Sequence, residues 1–423
     1  MKKGKIFYGW WIVAVITIMT FFMGAAPFAI VLKQIMEQFN TGRGLVSLSI
    51  SIASIVGGVT GIFVGRLVQH HRVKPLVIYG SIGSGVSSIL LGLANNLAAF
   101  YAFSFLAGLA MGFAGAITMF TVLSKWFNRH WGAAVGITQA GGAVGSLLIR
   151  PLVGLIAENI GWRPTYFFAG ALTLLVTVPL IIFVLKESPQ SMGLLPDGDK
   201  PGDAKRPAEA RPAAPTSPAR TAGGAGLGTY LKKPALWLMG LSFAVLAVGD
   251  AGVTQHEVSF ITDMQISATI AASALGFTMG ISGISRIASG WLSDRISSRY
   301  VSIFFLIIEI IGMFILMHAN NMSRVWLFVI VYGLGTGAAG TLLPIMIRDI
   351  FGSADFSVIF GFINALFTGG GAIGVPMAGF IFDATGSYAR VFVIVAIIYG
   401  AAILGIYAAF GARPRPFARL LRD

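Results

Sequence analysis

The sequence predicts an all-α membrane protein of twelve transmembrane helices arranged as two pseudo-symmetric six-helix halves, and three observations predict it. Hydrophobic residues make up 56% of the 423 and charged residues 11%, with a mean hydropathy of +0.82, far from the composition of a soluble domain. Runs of about 20 apolar residues, the length that crosses roughly 30 Å of hydrocarbon, recur twelve times along the chain. A self-comparison at an offset of 225 residues aligns the second half with the first in one gap-free register.

In chain order the twelve spans fall near residues 9–33, 44–68, 76–95, 98–124, 132–157, 163–185, 235–257, 268–292, 300–319, 324–347, 357–382 and 389–412. The opening Met1-Lys2-Lys3-Gly4-Lys5 has the charge of a signal-peptide start. The apolar run behind it is too long and lacks a small-residue cleavage pattern, so it reads as a retained first span. Spans 1–6 form an N-terminal half, 1–186, and spans 7–12 a C-terminal half, 231–423. Between them, 187–230 is rich in Pro, Ala, Gly and charge; it cannot bury enough apolar surface to fold and is expected to be a disordered cytoplasmic linker.

The repeat register holds through positions that apolar similarity alone would not align. Gly65, Gly108 and Gly112 fall on Gly290, Gly333 and Gly337, while Gln139, Gly145, Pro151 and Glu158 fall on Asn364, Gly370, Pro376 and Asp383. The glycine-rich stretches read first as surfaces where helix backbones approach closely.

A net charge of +14 raises the question of nucleic acid, but its placement gives a plainer account. With both termini in the cytoplasm, all but seven of the 30 Lys and Arg residues lie on the cytoplasmic side. Arg43, Arg163, Arg324 and Arg390 fall outside, and Lys33, Arg150 and Arg286 lie within or at the edge of spans. The expectation is a multi-pass protein of a bacterial inner membrane, working as a monomer, with the lipid bilayer and no nucleic acid as its surroundings. Zero cysteines and five scattered histidines offer no metal-ligand spacing, and no phosphate-binding loop is present. No metal, cofactor or nucleotide hydrolysis is expected, and no catalytic constellation stands out.

An ionisable residue inside a span is costly, which makes each one a candidate for binding or coupling. They are few: Arg150, Asp250, Arg286 and Glu309, with His256 near the outer end of span 7. Ser282 lies one turn before Arg286 on the same face, so the pair reads as a polar stripe rather than a side chain reaching for the surface. Arg150 is open between a cavity role and such a surface reach. Asp250, mid-span, must be protonated or paired, which suits either proton coupling or a structural hydrogen bond. His256 has the intrinsic pKa of a proton carrier, whereas Glu309 reads as a packing residue. Gln139 and Asn364 hold repeat-related positions that could line both walls of one cavity.

Three stretches carry a family resemblance. Gly290-Trp291-Leu292-Ser293-Asp294-Arg295-Ile296-Ser297-Ser298-Arg299 resembles the signature turn of major facilitator superfamily transporters, with Ser297 where that signature has glycine. Trp126-Phe127-Asn128-Arg129-His130-Trp131-Gly132, followed by Ala140-Gly141-Gly142-Ala143-Val144-Gly145, resembles the span 4–5 signature of monocarboxylate transporters. Tyr8-Gly9-Trp10-Trp11 is similar to that family's N-terminal motif without the acid that precedes it.

The resemblance implies the major facilitator fold and a secondary active transporter of small organic anions. Its expected cargo is a monocarboxylate such as lactate or pyruvate, moved with a proton by alternating access. In the family and its oxalate/formate-exchanging relatives, an arginine four residues before glycine in span 8 holds the substrate carboxylate, as Arg286 stands before Gly290. Further substrate-binding candidates are His256, Gln139, Asn364, Arg150 and Ser282. His256 or Asp250 would take the proton, and Gly290, Asp294, Arg295 and Arg299 would form a gating turn. Ser282 replaces the acid of animal members, and Gly361–Phe367 lacks the lysine of the exchangers. The alternatives are proton-free anion exchange with Arg150 as second cation and, less well matched, cationic drug efflux.

Overall fold

The computed structural model describes residues 7–24, 26–70, 72–127, 130–198, 226–293, 295–352 and 356–411. Among them are twelve helical stretches long and apolar enough to cross a membrane: Gly9–Phe39, Arg43–Gly65, Val73–Leu93, Leu97–Trp126, Ala134–Asn159, Trp162–Val184, Pro234–Asp263, Ala268–Ser293, Ser298–Met317, Met322–Phe351, Val358–Thr385 and Ala389–Gly411. They are spans 1 to 12 below. Spans 1 and 7 run about a turn and a half beyond the predicted apolar runs, to Phe39 and Asp263. Span 1 is interrupted between Met23 and Phe28, where Pro27 removes an amide donor. Span 4 is broken at Gly115 and span 10 at Gly337.

The ends of the stretch 187–230, expected to be an unstructured linker, carry short helices. Pro189–Met192 and Pro196–Gly198 follow span 6, and Gly226–Leu231 leads into span 7. Asp197 reaches His130 Nδ1 at 3.1 Å. The central part, 199–225, lies outside the described residues.

The internal repeat is visible as matched packing. A side chain at Gly108 would strike the carbonyl of Ala53 and Val56; one at Gly333 would strike the carbonyl of Thr278 and Ile281, each position displaced by the repeat offset. Gly112 lies against Thr60 as Gly337 lies against Ser285. Asn96 caps span 4 by accepting from Ala99 N at 2.8 Å, and Asn321 caps span 10 by accepting from Arg324 N at 3.0 Å.

Two of the stretches that carried the resemblance pack on each other. The Tyr8 ring lies 5.7 Å from Trp126 and Trp10 lies 5.1 Å from Phe127, while Phe7 contacts both. Tyr8 Oη donates to the Val184 carbonyl at 2.8 Å and Trp126 Nε1 donates to the Lys186 carbonyl at 3.0 Å. This aromatic clamp ties spans 1, 4 and 6 together at the end of the bundle that carries the termini.

The halves meet at the opposite, distal end. Span 5 packs on span 8 through Gly154 against Thr269 and Ala272, and through Gly276 against the carbonyls of Ser146 and Leu147. Glu158 of span 5 accepts from Thr269 N at 3.1 Å and Oγ1 at 2.6 Å, capping span 8 from the other half. Span 2 packs on span 11, where Ser51 Oγ donates to the Ala372 carbonyl at 2.5 Å. Nearer the termini the same helices diverge: a side chain at Gly136, Gly361 or Gly369 would meet nothing within 4 Å, and Gln139 and Asn364 are exposed. The bundle is closed distally and open at the terminal end.

A Cβ on Gly379 would lie 2.6 Å from Gly44 N and 2.7 Å from its Cα, backbone atoms with little room to yield. Gly379→Val should therefore force spans 2 and 11 apart at a cost of about 1–3 kcal/mol. The expected reading is faster thiol labelling of a cysteine placed at exposed Asn40; unchanged labelling would show that the contact does not govern closure.

Candidate functional site

Spans 7, 8 and 10 form a half-open cavity of about 250 Å³ lined by Asp250, Ala251, Thr254, Gln255, Met279, Ser282, Arg286 and Thr336. The polar lining follows from helical spacing. Asp250 and Thr254 are one turn apart on span 7, and Ser282 and Arg286 one turn apart on span 8. Asp250 Oδ1 accepts from Thr336 Oγ1 at 2.5 Å, with Tyr332 Oη at 3.3 Å and Thr254 Oγ1 at 3.5 Å. Thr336 is the last residue before the break at Gly337, so the interrupted span 10 places its hydroxyl on the carboxylate. Arg286 is exposed into the cavity and attracts Asp250 electrostatically. One guanidinium and one carboxyl group thus share a single chamber.

A second polar network seals the distal end above the cavity. Arg43, 3% exposed at the start of span 2, donates through Nη1 and Nη2 to the two oxygens of Asp263 at 2.8 and 2.9 Å. Lys33 Nζ joins the same carboxylate at 2.9 Å. Asp383 of span 11 accepts from Arg43 N and Gly44 N, both at 2.8 Å, capping span 2 from the other half. Arg43 Nη1 also donates to Tyr388 Oη at 2.8 Å, and its guanidinium lies 3.7 Å from the centre of the Phe382 ring.

His256 belongs to this seal. Its Nε2 lies 2.9 Å from the Val375 carbonyl, which can only accept, so Nε2 carries the hydrogen and Nδ1 accepts from Tyr388 Oη at 2.8 Å. Burial pushes the Tyr388 phenol up from its ordinary range, which keeps that O–H in place. His256, a substrate-binding and proton-coupling candidate by resemblance, is 2% exposed and does not line the cavity that holds Arg286.

The other expected site residues divide. Arg286, Ser282 and Asp250 come together in the cavity. Gln139 and Asn364 are exposed on the diverging parts of spans 5 and 11 and are not part of its lining, nor is Arg150, which faces Glu257 electrostatically. Glu309 is buried against Gly335 in a separate apolar recess behind span 10. In the turn after span 8, Asp294 lies outside the described residues. Gly290 approaches Thr341, Arg295 lies 3.6 Å over the Trp291 ring, and Arg299 stacks between Tyr300 and Tyr407 of span 12. No group of three potential metal ligands occurs among the described residues. Sequence reasoning missed Arg43, Asp263, Asp383, Tyr388, Thr336 and Glu257; the charges among them stand singly near span ends, and nothing in the sequence pairs them.

The family model of the Major Facilitator Superfamily matches residues 11–344 and 259–422. The chain belongs to the Major Facilitator Superfamily. It is 25% identical over 374 residues to an uncharacterised MFS-type transporter, YcxA, of Bacillus subtilis, covering 86% of this chain and 85% of that one. It is 27% identical over 315 residues to monocarboxylate transporter 12 of Rattus norvegicus, covering 70% of this chain and 63% of the relative. With monocarboxylate transporter 4 of Rattus norvegicus it is 24% identical over 432 residues, covering 97% and 85%. Among solved structures it resembles a bacterial homolog of the human lysosomal transporter Spinster in an inward-facing, occupied conformation, with a TM-score of 0.75 and 15% identity over 98% of this chain and all of that one. A variant of the nucleoside transporter NupG gives a TM-score of 0.75 at 10% identity, covering 95% and 100%. As a member of the superfamily, the protein is a multi-pass secondary transporter and not an enzyme.

Proposed function

We propose that the protein carries a small organic anion, a monocarboxylate of the size of lactate or pyruvate, together with a proton by alternating access. The observation that carries this reading is Arg286, presented by span 8 to a half-open chamber that it shares with Asp250. A guanidinium offers a carboxylate a planar, charge-assisted, two-point contact. The roughly 250 Å³ around Arg286 has room for a small carboxylate. The relatives named as monocarboxylate transporters point the same way.

Asp250 supplies a physical route to coupling. In the empty carrier it is the counter-charge of Arg286; an incoming carboxylate takes over that partnership, and a proton on Asp250 restores neutrality in the chamber. Each ligand then strengthens the binding of the other by the same factor. Asp250 replaces His256 as the proton carrier in this reading, because His256 is held in the distal seal. The distribution of Lys and Arg makes the terminal end cytoplasmic, so the described state opens inward. Exchange without protons has less support, since Arg150 does not line the chamber, and Arg286 would repel a cationic drug.

The test uses the full chain in liposomes with labelled lactate, pyruvate, oxalate and formate under an imposed pH gradient. Gradient-driven uptake of a monocarboxylate is expected, and Asp250→Asn should lose the gradient dependence while keeping anion-for-anion exchange. Uptake that requires internal anion and ignores the gradient in the unaltered protein would replace this reading with exchange.

A further inference from the structure

Glu257 is adjacent in sequence to His256 but faces the other way, into the seam between the halves. It is 1% exposed on span 7, about 9 Å of helix rise before the span's distal end at Asp263. Its Oε1 is 2.9 Å from Thr278 Oγ1 of span 8, and its Oε2 is buried with no hydrogen-bond partner. Arg150 of span 5, in the opposite half, faces it electrostatically, yet the Arg150 Nε is likewise buried without a partner. Spans 5 and 8 are the helices whose small residues, Gly154 and Gly276, hold the distal seam shut. Tyr332 of span 10 is the further titratable group that senses Glu257, and His256 and Asp250 share its helix.

Thr278 has one hydroxyl hydrogen and two acceptors in reach, Glu257 Oε1 at 2.9 Å and the Ala274 carbonyl at 3.1 Å. A carboxylate must compete with that carbonyl and leaves its second oxygen charged and unpaired, an expensive arrangement in a dry seam. A carboxylic acid resolves both conflicts: its O–H donates to Thr278 Oγ1, and Thr278 donates to Ala274. Arg150 opposes this by favouring the carboxylate, but Glu257 Oε2 accepts from no donor, so a closed two-point pair is not formed.

From this geometry we infer that Glu257, with Thr278 and Arg150, is a proton-binding site in the seam between the halves, occupied when the distal end is closed. Opening parts spans 5 and 8 and brings water to Glu257; the O–H bond breaks there and the proton passes to water, with no other bond changed. Closing from the distal side takes a proton up again. Proton binding therefore favours the distally closed state whether or not cargo is present, which separates this site from the Arg286 chamber and from the identity of the anion.

The test is a distance measurement on the full chain in lipid without cargo. The sequence contains no cysteine, so Asn95→Cys and Asn320→Cys, at exposed repeat-related distal positions in the two halves, give a single spin-label pair. Acidification should shift the pair toward the short, closed distance by at most about tenfold per pH unit, the limit for one proton. Glu257→Gln, a neutral mimic of the acid, should remain closed at all pH with a flat response, and Glu257→Asp should retain a titration. A Glu257→Gln protein that keeps the unaltered pH response overturns the inference. So does a response abolished by Asp250→Asn or His256→Gln but not by Glu257→Gln. Loss of Arg286-dependent anion binding would bear on the chamber alone.

Discussion

Arg286→Lys should fail nearly as badly as Arg286→Ala in binding a small carboxylate. A lysine retains the charge but not the planar fork, and its shorter reach from span 8 leaves the ammonium away from the centre of the chamber. Removing a desolvated charge-assisted contact costs on the order of 2–5 kcal/mol, or roughly 30- to several-thousand-fold in affinity. The surroundings make the loss specific. Asp250 loses its counter-charge, so the chamber becomes net negative and repels the anion that Arg286 had attracted. The double variant Arg286→Ala, Asp250→Asn should therefore recover part of the affinity lost in Arg286→Ala, as coupled neighbours do. Binding is read by calorimetry or by protection of intrinsic tryptophan fluorescence on the purified protein. Unaltered affinity of Arg286→Ala for every carboxylate tried would remove the chamber from the account of recognition.

The sequence made the twelve spans and the repeat legible because both rest on long periodic signals: apolar length, and glycine positions such as Gly108 and Gly333 where one register recurs. Arg286 and Asp250 were legible because charge inside a span is rare enough to be informative. What joins them was not. The apolar run of span 7 stops near Glu257. The helix in fact continues through Val258–Asp263, which turns Glu257 into a seam residue and His256 into a member of the distal network. Arg43 and Asp263 are likewise ordinary span-end charges when read alone. Their partnership depends on which helices of the two halves become neighbours, a tertiary fact that no local pattern carries. The break at Gly337, which sets Thr336 on Asp250, has the same character: the glycine is visible, but its geometric effect is not.

The distal network should prove the main restraint on the described conformation. Arg43→Ala leaves Asp263 with Lys33 alone and deprives Tyr388 and the Phe382 face of their cation. Breaking a buried ion pair from one side costs about 3–5 kcal/mol when the remaining charge is left unpaired; Asp263 keeps Lys33 and is partly exposed, which places this case below that range. Even about 1.4 kcal/mol changes the ratio of closed to open states roughly tenfold, enough to make the open state dominant in a carrier whose two states lie close in energy. The spin-label pair at Asn95→Cys and Asn320→Cys should then report a long distance without cargo. Asp263→Asn should act in the same direction, whereas Asp383→Asn should act less, because its amide oxygen still accepts one of the two backbone amides of Arg43 and Gly44. Removing both charges, as in Arg43→Ala with Asp263→Ala, should be milder than removing Arg43 alone, since the network then loses one charge of each sign and Lys33, left without its carboxylate, is partly exposed. That ordering separates a specific ion-pair latch from simple loss of packing: a packing contact would make the double variant at least as open as either single one, and a short distance in all of them would place the restraint in the glycine seams of spans 2 with 11 and 5 with 8.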